Sequence, residues 1–155
     1  DYRRMKKYAL LVLALIVIAG ALAVMLSSPA PDNDPLPIVE ESAIQYENAS
    51  EDDLVLQAPT EGSIVESPVS LTGEARGTWY FEAIAGVKIT DANAAVLGEG
   101  IVTAQSDWMT TDFVSFDGAV SFTPPATPTG FIVFEKENPS GLPANDASIS
   151  IPITF

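Results

Sequence analysis

Arg76 and Glu82, six residues apart, are the first pair in this chain whose chemistry suggests recognition. A guanidinium presents a planar fork of donors that matches a carboxylate, so Arg76 could hold an acidic ligand. The competing reading pairs Arg76 with Glu82 itself, the arginine stem lying on Trp79, and the nearby carboxylate favours that structural use. Trp79, Tyr80 and Trp108 offer a second kind of chemistry, an aromatic platform for sugar rings. Strand alternation would put Trp79 and Phe81 on one face and Tyr80 and Glu82 on the other. One of those faces must be core, and a buried tryptophan is the commoner outcome. Asn138 and Ser140, in Asn138-Pro139-Ser140-Gly141, carry polar side chains suited either to a ligand or to closing their own turn.

Other chemistries are excluded by composition. The chain has no His and no Cys, which removes serine–histidine and cysteine–histidine catalysis and the usual zinc sites. Asp107, Asp112, Asp117 and Asp146, with Asn93 and Asn138, could offer oxygens to calcium. No Asp-x-Asp-x-Asp-Gly loop accompanies them, and turn-capping is the simpler use of such side chains. Glu82 with Asp112 or Glu135 could be imagined as a glycosidase pair, but nothing in the spacing along the chain supports one. No catalytic residue, metal or cofactor is assigned.

Charge narrows the partners. Residues 32–155 hold 20 of the 21 acids against only Arg76, Lys88 and Lys136, a net charge of 3 − 20 = −17. Such a surface repels polyanions, so nucleic acid is not an expected partner.

Behind these residues stand the elements that must position them. Residues 8–26 form an uncharged, strongly apolar run preceded by Arg3, Arg4, Lys6 and Lys7. As a helix the run would reach about 28 Å, close to a bilayer core. Residues 1–7 then read as a cytoplasmic basic flank and 8–26 as a single transmembrane anchor, with everything later exported. A cleavable signal peptide is the alternative and would make the protein secreted, although the run exceeds the usual apolar segment of such leaders. Residues 27–53 contain Pro29, Pro31, Pro35 and Pro37 and eight acids without a cation, the composition of an extended tether in which no structure is expected.

From Leu54 the pattern alternates. Val69, Leu71, Gly73 and Ala75 interleave with polar residues, as do Ala147, Ile149, Ile151, Ile153 and Phe155. Pro152 places the last strand at an edge or bulge. Phe131–Phe134 reads as a central strand covered on both faces, and Val87–Thr90 with Val96–Gly98 as a hairpin about Asp91-Ala92-Asn93. Leu54–Ala58, Thr78–Ala83, Gly100–Ala104 and Ala119–Phe122 complete the strand candidates. Residues 54–155 are therefore expected to be all-β, an immunoglobulin-like β-sandwich of seven or eight strands. Its core should draw on Trp79, Phe81, Phe113, Phe116, Phe122 and Phe134.

Three segments are less generic: Gly73-Glu74-Ala75-Arg76-Gly77-Thr78-Trp79-Tyr80-Phe81-Glu82-Ala83, Asp107-Trp108-Met109-Thr110-Thr111-Asp112-Phe113 and Glu137-Asn138-Pro139-Ser140-Gly141-Leu142-Pro143. With the Ala58-Pro59 and Ser67-Pro68 steps and the closing strand around Ile151-Pro152, residues 55–155 resemble the germination- and sporulation-associated immunoglobulin-like domain of bacteria. They look closest to variants that follow one N-terminal membrane segment. The family often has glycine in the turn after Asp91, where this chain carries Ala94. The resemblance implies binding or scaffolding in the cell envelope and supplies no catalytic residues. The expected function is thus a membrane-anchored extracytoplasmic module contacting another envelope protein or cell-wall glycan. A carbohydrate-binding module and a purely structural spacer are the alternatives.

Overall fold

The structure, a computed structural model, describes residues 43–155. The basic flank, the expected anchor at 8–26 and most of the expected tether lie outside these residues. Among the described residues no helix is long and apolar enough to cross a membrane.

Eight strands make up the fold: β1 (Gln45–Glu47), β2 (Leu54–Ala58), β3 (Val69–Arg76), β4 (Ile84–Asp91), β5 (Val96–Ala104), β6 (Phe113–Val120), β7 (Thr129–Glu135) and β8 (Ser148–Thr154). Hydrogen bonding links them into one curled antiparallel sheet in the order β1-β8-β7-β4-β5-β6-β3-β2. The expected two faces are both present, but they are continuous through β5. That strand pairs with β4 from Val96 to Thr103, and its last residues, Val102–Ala104, pair with β6 at Phe116–Gly118. A side chain at Gly118 would collide with Val102 and the Ile101 carbonyl, so the junction depends on its having none.

The strands form where alternation supplies an inner row. Val69, Leu71 and Ala75 of β3, Val114, Phe116 and Val120 of β6, Ile132 and Phe134 of β7, and Ile149, Ile151 and Ile153 of β8 meet in one core. Phe116 and Phe134 touch across it with ring centroids 5.5 Å apart. Each buried aliphatic side chain of this kind contributes about 1.5–3 kcal/mol relative to exposure. Of the six aromatics expected inside, Trp79, Phe116 and Phe134 are buried and Phe122 packs against the core. Phe81 and Phe113 are exposed, so aliphatic residues carry more of the interior than expected. The central position of β7 between β4 and β8 agrees with the sequence pattern, but only alternate residues are fully buried.

Two edge details refine the expectation. Gln45–Glu47, within the stretch read as tether, adds β1 to β8. Pro152 pairs with Phe131, while its carbonyl accepts the Gly62 amide at 2.8 Å. Its missing N–H therefore faces away from β7, toward the 62–65 segment; β8 lies between β1 and β7 and Pro152 is buried, so the last strand is not the edge that its proline suggested.

The β4–β5 hairpin forms as expected. Asp91 is 2% exposed, and its Oδ1 accepts the amides of Asn93 and Ala95, each at 2.9 Å. Ala94 has φ +62°, which explains why glycine suits this place: a Cβ strains left-handed backbone by roughly 1–2 kcal/mol.

Candidate functional site

Antiparallel alternation sends three connections to one end of the domain, beside the 48–53 link between β1 and β2: 77–83 between β3 and β4, 105–112 between β5 and β6, and 136–147 between β7 and β8. These contain the segments that stood out in the sequence. Residues 91–95 and 121–128 lie at the opposite end.

The first connection opens with a single 3-10 turn, Gly77–Trp79, where a strand was expected. The turn breaks the alternation, so Trp79 and Tyr80 both point inward, at 2% and 4% exposure. Neither can serve as a sugar platform. Phe81 and Ile84 then exchange backbone bonds of 3.0 and 3.1 Å. They close a two-residue turn in which Glu82 and Ala83 have φ +53° and +66°. Such a turn normally takes Asn-Gly, and two side-chain-bearing residues here hold strain of about 1–3 kcal/mol each. Phe81-Glu82-Ala83 is accordingly a tight turn, not part of a strand.

Arg76 does not meet Glu82. Its Nε donates to the Asp52 carbonyl at 2.8 Å, and its guanidinium lies 4.0 Å from the Phe113 ring centre, a cation–π contact. The expected structural pair is replaced because the turn carries Glu82 outward, while β2 and β6 flank β3 on either side of Arg76. Among the described residues the one ion pair is Lys88–Glu135, at 2.7 Å. The carboxylate hydrogen bond raises the lysine's pKa and outweighs partial burial, which lowers it.

The connections brace one another. The Gly77 amide donates to the Asp112 carbonyl at 3.0 Å, and a side chain at Gly77 would collide with the carbonyl oxygens of Trp108 and Thr110. The Ala104 amide donates to Ala83 at 2.8 Å, and the Glu137 amide to Trp79 at 3.1 Å. Within 105–112, Asp107 accepts the Met109 amide at 3.0 Å and Thr110 Oγ1 accepts that of Asp112 at 3.1 Å. Trp108 is half-buried against the core, leaving part of its ring at the surface, whereas Met109 stands out at 77% exposure. Gly77, Thr78, Tyr80, Trp108, Met109, Thr110 and Thr111 line a shallow cleft of about 350 Å³.

Asn138 and Ser140 turn to their own loop. Asn138 Nδ2 donates to the Leu142 carbonyl at 2.9 Å and to Asp146 Oδ1 at 2.6 Å. Ser140 Oγ donates to Asn138 Oδ1 at 2.5 Å and accepts from Asn145 Nδ2 at 3.0 Å. Asn48 Nδ2 also donates to the Asp146 carbonyl, at 2.9 Å, so Asp146 helps to join the 48–53 link to this loop. Asn138 and Ser140 make their hydrogen bonds within their own connection rather than presenting free donors.

A family model for the immunoglobulin-like domain of bacterial spore germination matches residues 53–141. The chain belongs to this family. No curated protein and no solved structure matches it. The matched stretch runs from just before β2 through β7 into the 136–147 connection, and so takes in most of the braced end. Sequence reasoning singled out Trp108 but passed over Met109 and Phe81 as presented residues. Their signal was available only as large apolar side chains beside Asp107 and Glu82.

Tyr80 supplies a titration specific to this end. Its hydroxyl donates to the Val114 carbonyl at 2.8 Å. Burial pushes the phenol up to about 12, partly countered by the Ala75 amide, with a smaller upward push from Glu74. The folded state thus holds a proton that the unfolded chain releases near pH 10, and stability falls as pH rises from about 10 to about 12. Tyr80→Phe should be less stable by about 1 kcal/mol at pH 8. The gap between the two proteins in urea unfolding should then shrink as pH approaches 12. A constant gap would show that the phenol titrates no differently when folded.

Proposed function

We propose that the chain is a membrane-anchored extracytoplasmic binding module whose braced loop end contacts another protein of the cell envelope. The observation that carries this reading is the convergence of 77–83, 105–112 and 136–147 on one end, fixed by mutual backbone bonds. Rigid scaffolds bearing positioned loops are the usual architecture of recognition. Family membership supports a binding or structural module. The basic flank and apolar run at 8–26 support an anchor, and the acidic, proline-bearing stretch after it supports a tether.

Two measurements on the full chain in its bacterial host test the proposal. The chain lacks cysteine, so Asn93→Cys creates a unique thiol on an exposed turn. A membrane-impermeant maleimide should label that thiol in intact cells; labelling only after lysis would overturn the topology. A photocrosslinking residue at Met109 should give a discrete protein adduct that the same residue at Asn93, on the opposite end, does not. Equal crosslinking at both ends, or none at Met109, would overturn the loop-end reading. A crosslink to glycan alone would favour the carbohydrate-binding alternative.

A further inference from the structure

Met109 and Phe81 are exposed apolar side chains on two connections that meet at Gly77 and at Ala83. Met109 is held between Asp107, which accepts its amide, and the 2.8 Å bond from the Thr110 amide to the Trp108 carbonyl. Phe81, at 42% exposure, opens the turn whose two central residues, Glu82 and Ala83, are both left-handed. Fixing a hydrophobe in water brings the folded protein nothing, and strain adds to the cost. A partner, however, gains from anchors that lose little further freedom on binding.

The surrounding charge specifies what that partner carries. Glu82 follows Phe81, and Asp107 and Asp112 flank Met109; all three carboxylates are exposed. No Lys or Arg occurs within 77–83 or 105–112, and Arg76, which adjoins them, is engaged by the Asp52 carbonyl and the Phe113 ring. We infer that Phe81 and Met109, on two connections in mutual contact, are hydrophobic anchors for a basic protein segment. Its apolar side chains cover the two anchors, and its Lys or Arg residues meet Glu82, Asp107 and Asp112. The inference rests on the loop-end reading and adds the anchors and the partner's chemistry. Complementary charge of this kind acts mainly on encounter rate and selectivity, and salt weakens it.

The test uses the full chain with ¹³C-methyl methionine in a neutral maltoside micelle. The probe is the peptide Gly-Lys-Leu-Lys-Phe-Gly-Lys. One control carries Glu in place of every Lys, and a second carries Ser in place of Leu and Phe. The basic apolar peptide should shift the Met109 methyl saturably, both controls should bind at least tenfold more weakly, and 0.5 M salt should weaken the probe. The double variant Phe81→Ser/Met109→Ser should lose at least tenfold in affinity, followed by peptide fluorescence anisotropy. An unmoved Met109 methyl, equal binding of either control, or undiminished binding by the double variant would overturn the inference. If the crosslinked cellular partner meets Met109 through an acidic or uncharged surface, the loop-end reading stands and this inference falls. If Met109 captures no protein, both fall.

Discussion

Replacing Trp79 by alanine should lower the unfolding free energy by about 3–5 kcal/mol, the range for deleting a buried aromatic side chain. Trp79 is 2% exposed and closes the 3-10 turn that Gly77 begins, so little nearby backbone can collapse into the hole. Its carbonyl also holds the Glu137 amide. The loss should therefore reach the 136–147 connection, where hydrogen exchange at Glu137 should accelerate more than global destabilisation accounts for. Trp108→Ala is the informative partner. That ring is half-buried, and its removal should cost no more than about 2 kcal/mol. Urea unfolding of the two variants decides the matter. If Trp79→Ala unfolded like the wild type, the assignment of Trp79 to the core would be wrong and a surface role would return.

Asp91→Ala should rank next, at about 2–4 kcal/mol. The carboxylate is buried and accepts two amides of its own turn. Hydrogen bonds to a charged group are worth about 1.5–3 kcal/mol each, and an amide left without a partner adds to the penalty. Asp91→Asn keeps one acceptor oxygen at the same place and should recover part of the loss. Ala94→Gly should move the other way and gain up to about 1 kcal/mol by releasing left-handed strain. Denaturant midpoints for the three variants provide the check. A destabilised Ala94→Gly would mean that the turn does not hold φ +62° in solution.

Legibility in the sequence followed the source of each element's stability. Strands β3 and β8 were readable because their inner residues recur every second position, and the β4–β5 hairpin because Asp91-Ala92-Asn93 punctuates two apolar runs. Strand β1 was not readable. All three of its residues are exposed, so its strand character comes from pairing with β8 rather than from any pattern of its own. The 77–83 connection misled for a different reason. Thr78-Trp79-Tyr80-Phe81 has strong strand propensity, and what overrides it is long-range: the approach of 108–110 to Gly77 and the burial of two consecutive aromatics. Glu82-Ala83 carries neither the Asn nor the Gly that usually announces its kind of turn. Of the candidate site, the three segments were visible but their convergence was not, because it depends on strand order. The Arg76–Glu82 pairing failed because separation along the chain says nothing about which way a tight turn faces.

The direction of β1 carries a mechanical consequence. Gln45 pairs with Ser150 and Glu47 with Ser148, so the chain enters β1 heading toward the braced loops. For a domain held at its N-terminal side and gripped by those loops, tension runs nearly parallel to β1 and β8. The bonds between these strands would then be loaded together in shear rather than unzipped singly. Three residue pairs set the length of that clasp, and lengthening or shortening β1 would tune the force the attachment withstands.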